Sequence, residues 1–270
     1  MKPLKIIRIA AIFACVIFIS CSKDESLQYE LVTGEKKVTK LEINNSELGY
    51  SVWNFNYDNE GKLLEVTYNR NTEMRKYDYV WKNSTINSSY QTYSLSDGLI
   101  RNFANYRDVR YDEERPQEIK YLSSYGDDYS FNWYSNGGLQ SRAIYYKMQN
   151  EGGSQGYITE LFKFIYDGDV ITAKTSGFNP VVSYMLSWGF DGDPLCIAHP
   201  ELVGGRTNVL PTHFSRTCYW FDINNRHVSE TIYGACSYMF DKDGYVTEFI
   251  IREDDGDEYA FEEKYTIVWE

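Results

Sequence analysis

The sequence predicts an all-β fold: an antiparallel many-stranded meander of about 16 strands, closed or strongly curved into a barrel-like sheet. Three observations predict it. A short phrase of aromatic, Asp, turn and apolar residue recurs along the chain. Apolar and polar residues alternate at period two, and helix signals are nearly absent. The phrase is clearest at Tyr57-Asp58-Asn59-Glu60-Gly61-Lys62-Leu63 and at Phe240-Asp241-Lys242-Asp243-Gly244-Tyr245-Val246, with looser copies from Tyr111, Tyr134, Tyr166, Phe190 and Phe221. It reads as a strand end, a tight turn and a strand start.

Residues 1–20 have the form of a lipoprotein signal peptide. Lys2, Lys5 and Arg8 form a cationic start, and the apolar run after Arg8 is too short to span a bilayer. It ends at Phe18-Ile19-Ser20-Cys21, a small residue before a cysteine, which resembles a bacterial lipobox. Cys21 is therefore the expected lipidation site. Cys15 competes, but cleavage there would leave the apolar Val16–Ile19 at the mature N-terminus. Residues 21–27 follow as a lipid-anchored tether. Its Ser22-Lys23-Asp24-Glu25 resembles the acidic signal that carries lipoproteins of Bacteroidetes-type bacteria to the outer face of the outer membrane. The expected location is the outer membrane, with cell-surface exposure and a periplasm-facing anchor both open.

Residues 28–270 read as a single repeat-built domain. No linker or composition shift divides them. Aromatics make up 17% of the chain and include 25 Tyr, a residue suited to a pleated, half-wet surface. Tyr259, Phe261, Tyr265, Ile267 and Trp269 fall on one face of the last strand, against Glu258, Glu262, Lys264 and Thr266. Trp53, Phe55 and Tyr57 alternate likewise, as do Tyr129, Phe131 and Trp133. Asp, Asn and Gly spell the turns because they tolerate positive φ or bond their own backbone. Two interleaved series of the phrase give a unit of about 27 residues, enough for two strands and two connections.

Tyr57-Asp58-x-x-Gly61-Lys62-Leu63 resembles the Tyr-Asp repeats of Rhs-type shell proteins. Together with the lipobox, acidic tether and closing aromatic strand, it is similar to a Bacteroidetes lipoprotein family of unknown function with a porin-like fold. The resemblance covers roughly residues 27–270. It implies a many-stranded antiparallel barrel and brings no catalytic residues.

The alternating segments also suit an outer-membrane barrel. Against that reading stand the lipid anchor and the polar interruptions Asn54, Asn56 and Lys163. The formal charge is −12, and residues 1–20 hold three cations and no anion, so the remainder is more acidic still. That balance, with no basic stripe, excludes nucleic acid as a partner.

Candidate chemistry is sparse. Cys196, His199, His213, Cys218, His227 and Cys236 lie in one stretch, but no second close pair completes a zinc pattern, so no metal and no cofactor is expected. Asp241-x-Asp243-Gly244 and residues 253–258 resemble fragments of calcium loops without the distal ligand. Cys196, Cys218 and Cys236 permit one disulfide or none. No nucleophile elbow, metal-protease helix or phosphate loop occurs, so the chain reads as no enzyme. Ala198–Ser215 is the longest stretch without alternation, and such loops often carry function. Candidate ligand-binding residues are His199, Arg206, His213, Tyr219 and Trp220. The expected function is non-catalytic ligand binding at the envelope, with a glycan or an envelope protein as partner. The alternative is a structural or interaction module of an outer-membrane surface complex.

Overall fold

The computed structural model describes residues 36–46, 48–103, 107–112, 115–121, 127–133, 138–150, 153–166, 171–172, 193–204, 209–221, 226–254 and 261–270. The chain makes a closed antiparallel barrel of sixteen strands. The first wall strands are β1 (Val38–Asn45), β2 (Gly49–Tyr57), β3 (Leu63–Arg70), β4 (Glu73–Lys82), β5 (Thr85–Ser88) and β6 (Thr92–Ser96). The wall continues with β7 (Leu99–Phe103), β8 (Arg107–Asp112), β9 (Arg115–Tyr121), β10 (Asp127–Trp133), β11 (Leu139–Asn150) and β12 (Gly153–Ile165). A small pair, β13 (Ile171–Thr172) and β14 (Val209–Leu210), stands apart from it. The wall ends with β15 (His213–Phe221), β16 (His227–Phe240), β17 (Val246–Asp254) and β18 (Glu262–Trp269). Every wall strand pairs with its sequence neighbour except where β12 meets β15, and β1 closes on β18. At the seam, Lys37 and Glu270 exchange both backbone hydrogen bonds, at 2.7 and 2.9 Å.

The turn phrase works as its spelling suggests. Asp58 Oδ1 accepts from the amides of Glu60 and Lys62, each at 2.9 Å. Asp241 Oδ1 accepts from Asp243 and Tyr245 at the same distance. Gly61 and Gly244 take φ of 80° and 89°, which glycine adopts without strain. The Asp is thus turn chemistry.

The aromatic of the phrase has a second role. At the end of the barrel holding these turns, a strand-end aromatic reaches back to the start of an earlier strand or its lead-in. Tyr57 Oη donates to Val38 O, Trp81 Nε1 to Leu63 O, Tyr111 Oη to Ile100 O and Trp133 Nε1 to Pro116 O. Tyr166 Oη donates to Leu139 O, Tyr238 Oη to Pro211 O and Trp269 Nε1 to Val246 O. These bonds span 2.7–2.9 Å. They satisfy polar tips carried inward by large rings and staple hairpin to hairpin. Two copies depart from the expected series: at Phe240 the bond is made by Tyr238 instead, and Phe221 lies elsewhere. It ends β15, which runs toward the opposite rim, and it is exposed there. The copies at Tyr134 and Phe190 lie outside the described residues.

The pleat puts apolar side chains inside and charge outside. Leu41, Phe55, Val66, Ile86, Ile119, Phe131, Phe249, Tyr265 and Ile267 are buried within. Outward, Lys76 bridges Glu65 and Asp78, Arg110 meets Glu118, Lys264 meets Glu248, and Arg252 meets Glu262. An outward Arg or Lys at mid-bilayer would cost about 2–4 kcal/mol each. A wall carrying such pairs is costly to place in lipid wherever they fall at that depth.

Sixteen strands enclose more space than wall side chains fill. The connection between β12 and β15 supplies the difference. It carries α1 (Pro194–Ala198) and a 3-10 turn at Pro200–Val203 into the lumen, where Leu195, Cys196, Ile197, Leu202 and Val203 join the core. Asp193 caps α1, its carboxylate accepting from Leu195 N at 2.9 Å, and Pro194 fixes the first turn. The part of Ala198–Ser215 up to Gly204 is therefore an internal plug, not a surface loop.

Candidate functional site

Among the described residues, the plug and the aromatic staples close one end of the barrel, and a cup lies at the other. The cup holds a cavity of about 430 Å³ on the inner wall of β1 to β6 and β18. Its aromatic side is Trp53, Tyr68, Tyr77 and Tyr90, all lining the cavity. The Trp53 ring lies 4.4 Å from Tyr68 and 6.2 Å from Tyr77, and Tyr77 lies 5.1 Å from Tyr90. Tyr90, 64% exposed, carries this wall out to the rim. The floor is the start of the plug, where Asp193 accepts from Tyr93 Oη at 2.6 and 2.8 Å.

Charges in the cup are mostly matched. Arg75 Nε donates to Glu73 at 2.6 Å. Arg70 turns Nε and Nη2 onto Leu48 O, at 3.0 and 2.7 Å. Glu263 is 2% exposed, and its Oε1 accepts from Asn45 Nδ2 at 3.1 Å. Burial pushes the Glu263 carboxyl up to about 7, with Asn45 and Tyr265 pulling the other way only in part. Burial also raises Asp193, against the bonds from Tyr93 and Leu195. Trp53 Nε1 is buried behind this lining without a hydrogen-bond partner, while the Glu263 carboxyl is met by Asn45 and Tyr265.

The sequence-derived candidates do not converge. Cys21 and Arg206 lie outside the described residues. His199 sits in the plug at the sealed end, 1% exposed, between the rings of Tyr57 and Trp81. Its Nε2 accepts from Leu63 N at 3.2 Å and its Nδ1 meets Glu201 at 2.9 Å, so both ring nitrogens are engaged. His213 is exposed at the start of β15, beside Thr212. Tyr219 stacks on His227, with centroids 5.5 Å apart, on the outer face near the rim. Trp220 is 45% exposed at the rim. Cys196, Cys218 and Cys236 are free thiols. Among the described residues, no three His, Cys, Asp or Glu side chains are grouped to hold a metal. Asp241 and Asp243 are bridged by Lys36 Nζ, at 2.6 and 2.7 Å.

Sequence reasoning passed over the cup. The alternation places Trp53 on one face with Phe55 and Tyr57, and Glu263 between Phe261 and Tyr265 on another. A carboxylate interrupting an apolar period-two face was the available signal.

A closed sixteen-stranded β-barrel, plugged at one end and, among the described residues, holding an aromatic-walled cup at the other, is the class the geometry defines. No protein-family model matches the chain, and no curated protein matches it. Among solved structures, it is similar to a porin-like protein from Bacteroides uniformis: 13% identity, TM-score 0.45, over 86% of this chain and 98% of that one. It is also similar to part of TcdB2-TccC3-TEV: 7% identity, TM-score 0.33, over 86% of this chain and 12% of that one. The barrel itself rests on the closed strand order, not on these distant likenesses.

Proposed function

We propose that the protein is a lipid-anchored barrel of the bacterial envelope that binds a glycan in its cup and performs no chemistry on it. The observation that carries this reading is the cup's aromatic wall of Trp53, Tyr68, Tyr77 and Tyr90. Sugar rings present C–H faces that pack on such rings, and hydroxyls that bond polar side chains such as Glu73, Arg75 and Gln91 beside them. The location rests on the signal-like residues 1–20, with Cys21 as the acylated residue and residues 21–27 as tether. The charged outer wall supports it, since an anchor is needed when strands do not hold the protein in lipid. Lys36, the first described residue, lies at the sealed end, opposite the cup. Outer-membrane display toward the medium suits capture of a polymer.

The test is a glycan array run beside affinity capture from detergent-solubilised envelope. Concentration-dependent glycan signal, lost in a Trp53→Ala, Tyr90→Ala double variant that still folds, is the expected result. A stoichiometric envelope protein with no glycan signal would replace this reading with that of an interaction module.

A further inference from the structure

Resting on the reading of the cup as a glycan site, we infer that the cup takes the end of a sugar chain and not its interior. The cup has a fixed floor, Asp193 and Pro194 at the start of the plug. Tyr93 Oη holds the Asp193 carboxyl at 2.6 and 2.8 Å, and the same carboxyl caps α1 through Leu195 N. Beneath it, Leu195, Cys196, Ile197 and Leu202 are packed into the core. His199 lies deeper still, between the rings of Tyr57 and Trp81. Among the described residues the lumen is therefore closed below the cup, and a chain that enters it has no way through.

The aromatic wall leads inward from the rim. From Tyr90 through Tyr77 and Trp53 to Tyr68, successive ring centroids lie 5.1, 6.2 and 4.4 Å apart. Exposure falls along this run, from 64% at Tyr90 to 8% at Tyr68. A chain lying across the rim meets Tyr90 and misses the deeper rings. A chain that packs on Trp53 and Tyr68 has gone in. The space is about 430 Å³, near the lower end of the ~300–1,000 Å³ of small-molecule sites, and suits a few sugar rings in single file. An interior segment would have to enter and leave by one mouth, with both arms of the bent chain inside that volume. An end enters without bending, and is spared the entropy of fixing a bend.

The experiment is titration calorimetry with amylose, a linear mannan, xylan and polygalacturonate, each intact and after partial hydrolysis, compared at equal mass of sugar. It is run on the wild type and on Tyr90→Ala, which removes a ring exposed at the rim and leaves the core intact. The expected result is a binding capacity per gram that rises in proportion to the ends created, so that chains cut roughly tenfold shorter bind more protein by the same factor, with Kd per end unchanged. Tyr90→Ala should weaken that binding several-fold. Capacity that follows mass, whatever the chain length, overturns end capture while leaving the glycan reading intact. Undiminished affinity in Tyr90→Ala overturns the placement of the chain in the cup. Binding of no polysaccharide, intact or cut, overturns the glycan reading and this inference with it.

Discussion

Replacing Glu263 by Gln should remove a specific part of the protein's pH dependence. The Glu263 carboxyl is almost wholly buried and is pushed up to about 7, against an unfolded value near the usual 4.5. The folded state therefore holds a proton that the unfolded state releases. The resulting stabilisation is fully present below about pH 4.5 and is lost as pH rises through about 7. Each pKa unit corresponds to about 1.4 kcal/mol, so the contribution lost across this window is about 3 kcal/mol. For a domain of this size that is roughly 6–10 °C in melting temperature. Gln keeps the acceptor for Asn45 and carries no titrating proton. Melting curves of both proteins from pH 4.5 to 8 test the reasoning. The wild type should lose stability relative to Glu263→Gln as pH rises. Asp193 is common to both proteins and cancels in the comparison. Parallel pH profiles would show that Glu263 titrates normally and that the inner wall at β18 is wet.

Other outcomes follow from single contacts. Asp58→Ala and Asp241→Ala each delete two backbone acceptor bonds, and each should cost about 1–2 kcal/mol in urea unfolding. Gly234→Ala should be worse, more than about 2 kcal/mol, because a Cβ there meets Phe214 at 2.3 Å and the Arg252 carbonyl at 2.6 Å. In thiol titration of the native protein, Cys218 should react first. Cys196 and Cys236 should react only on unfolding, since both are buried and burial pushes the Cys236 thiol up to about 12.

The wall was legible because period-two alternation is a direct consequence of the pleat. Tyr265, Ile267 and Trp269 announce the closing strand whatever they pack against. The turns were legible because Asp58 and Gly61 do their work within five residues. The plug was not. Leu195, Cys196 and Ile197 are contiguous and carry no period, and what draws them inward is the width of a lumen that sixteen strands create together. Asp193-Pro194, a capping residue before proline, was the one local sign of α1. The break in alternation that begins at Ala198 arises, as far as Gly204, where the chain leaves the wall to fill it. The cup was hidden for a related reason. Trp53 and Phe55 occupy the same inward face two residues apart, yet Phe55 packs in the core and Trp53 borders open space. Depth along the barrel axis decides between these fates, and it depends on where the plug stops.

The account requires a barrel whose outer surface lives in water. The most direct measurement is size-exclusion chromatography with light scattering, in detergent-free buffer, on the chain expressed from Ser22 onward. A single monomeric species that stays out of added liposomes is the predicted result. Dependence on detergent, or spontaneous insertion into the liposomes, would contradict it, because the charged outer wall would then have to face lipid.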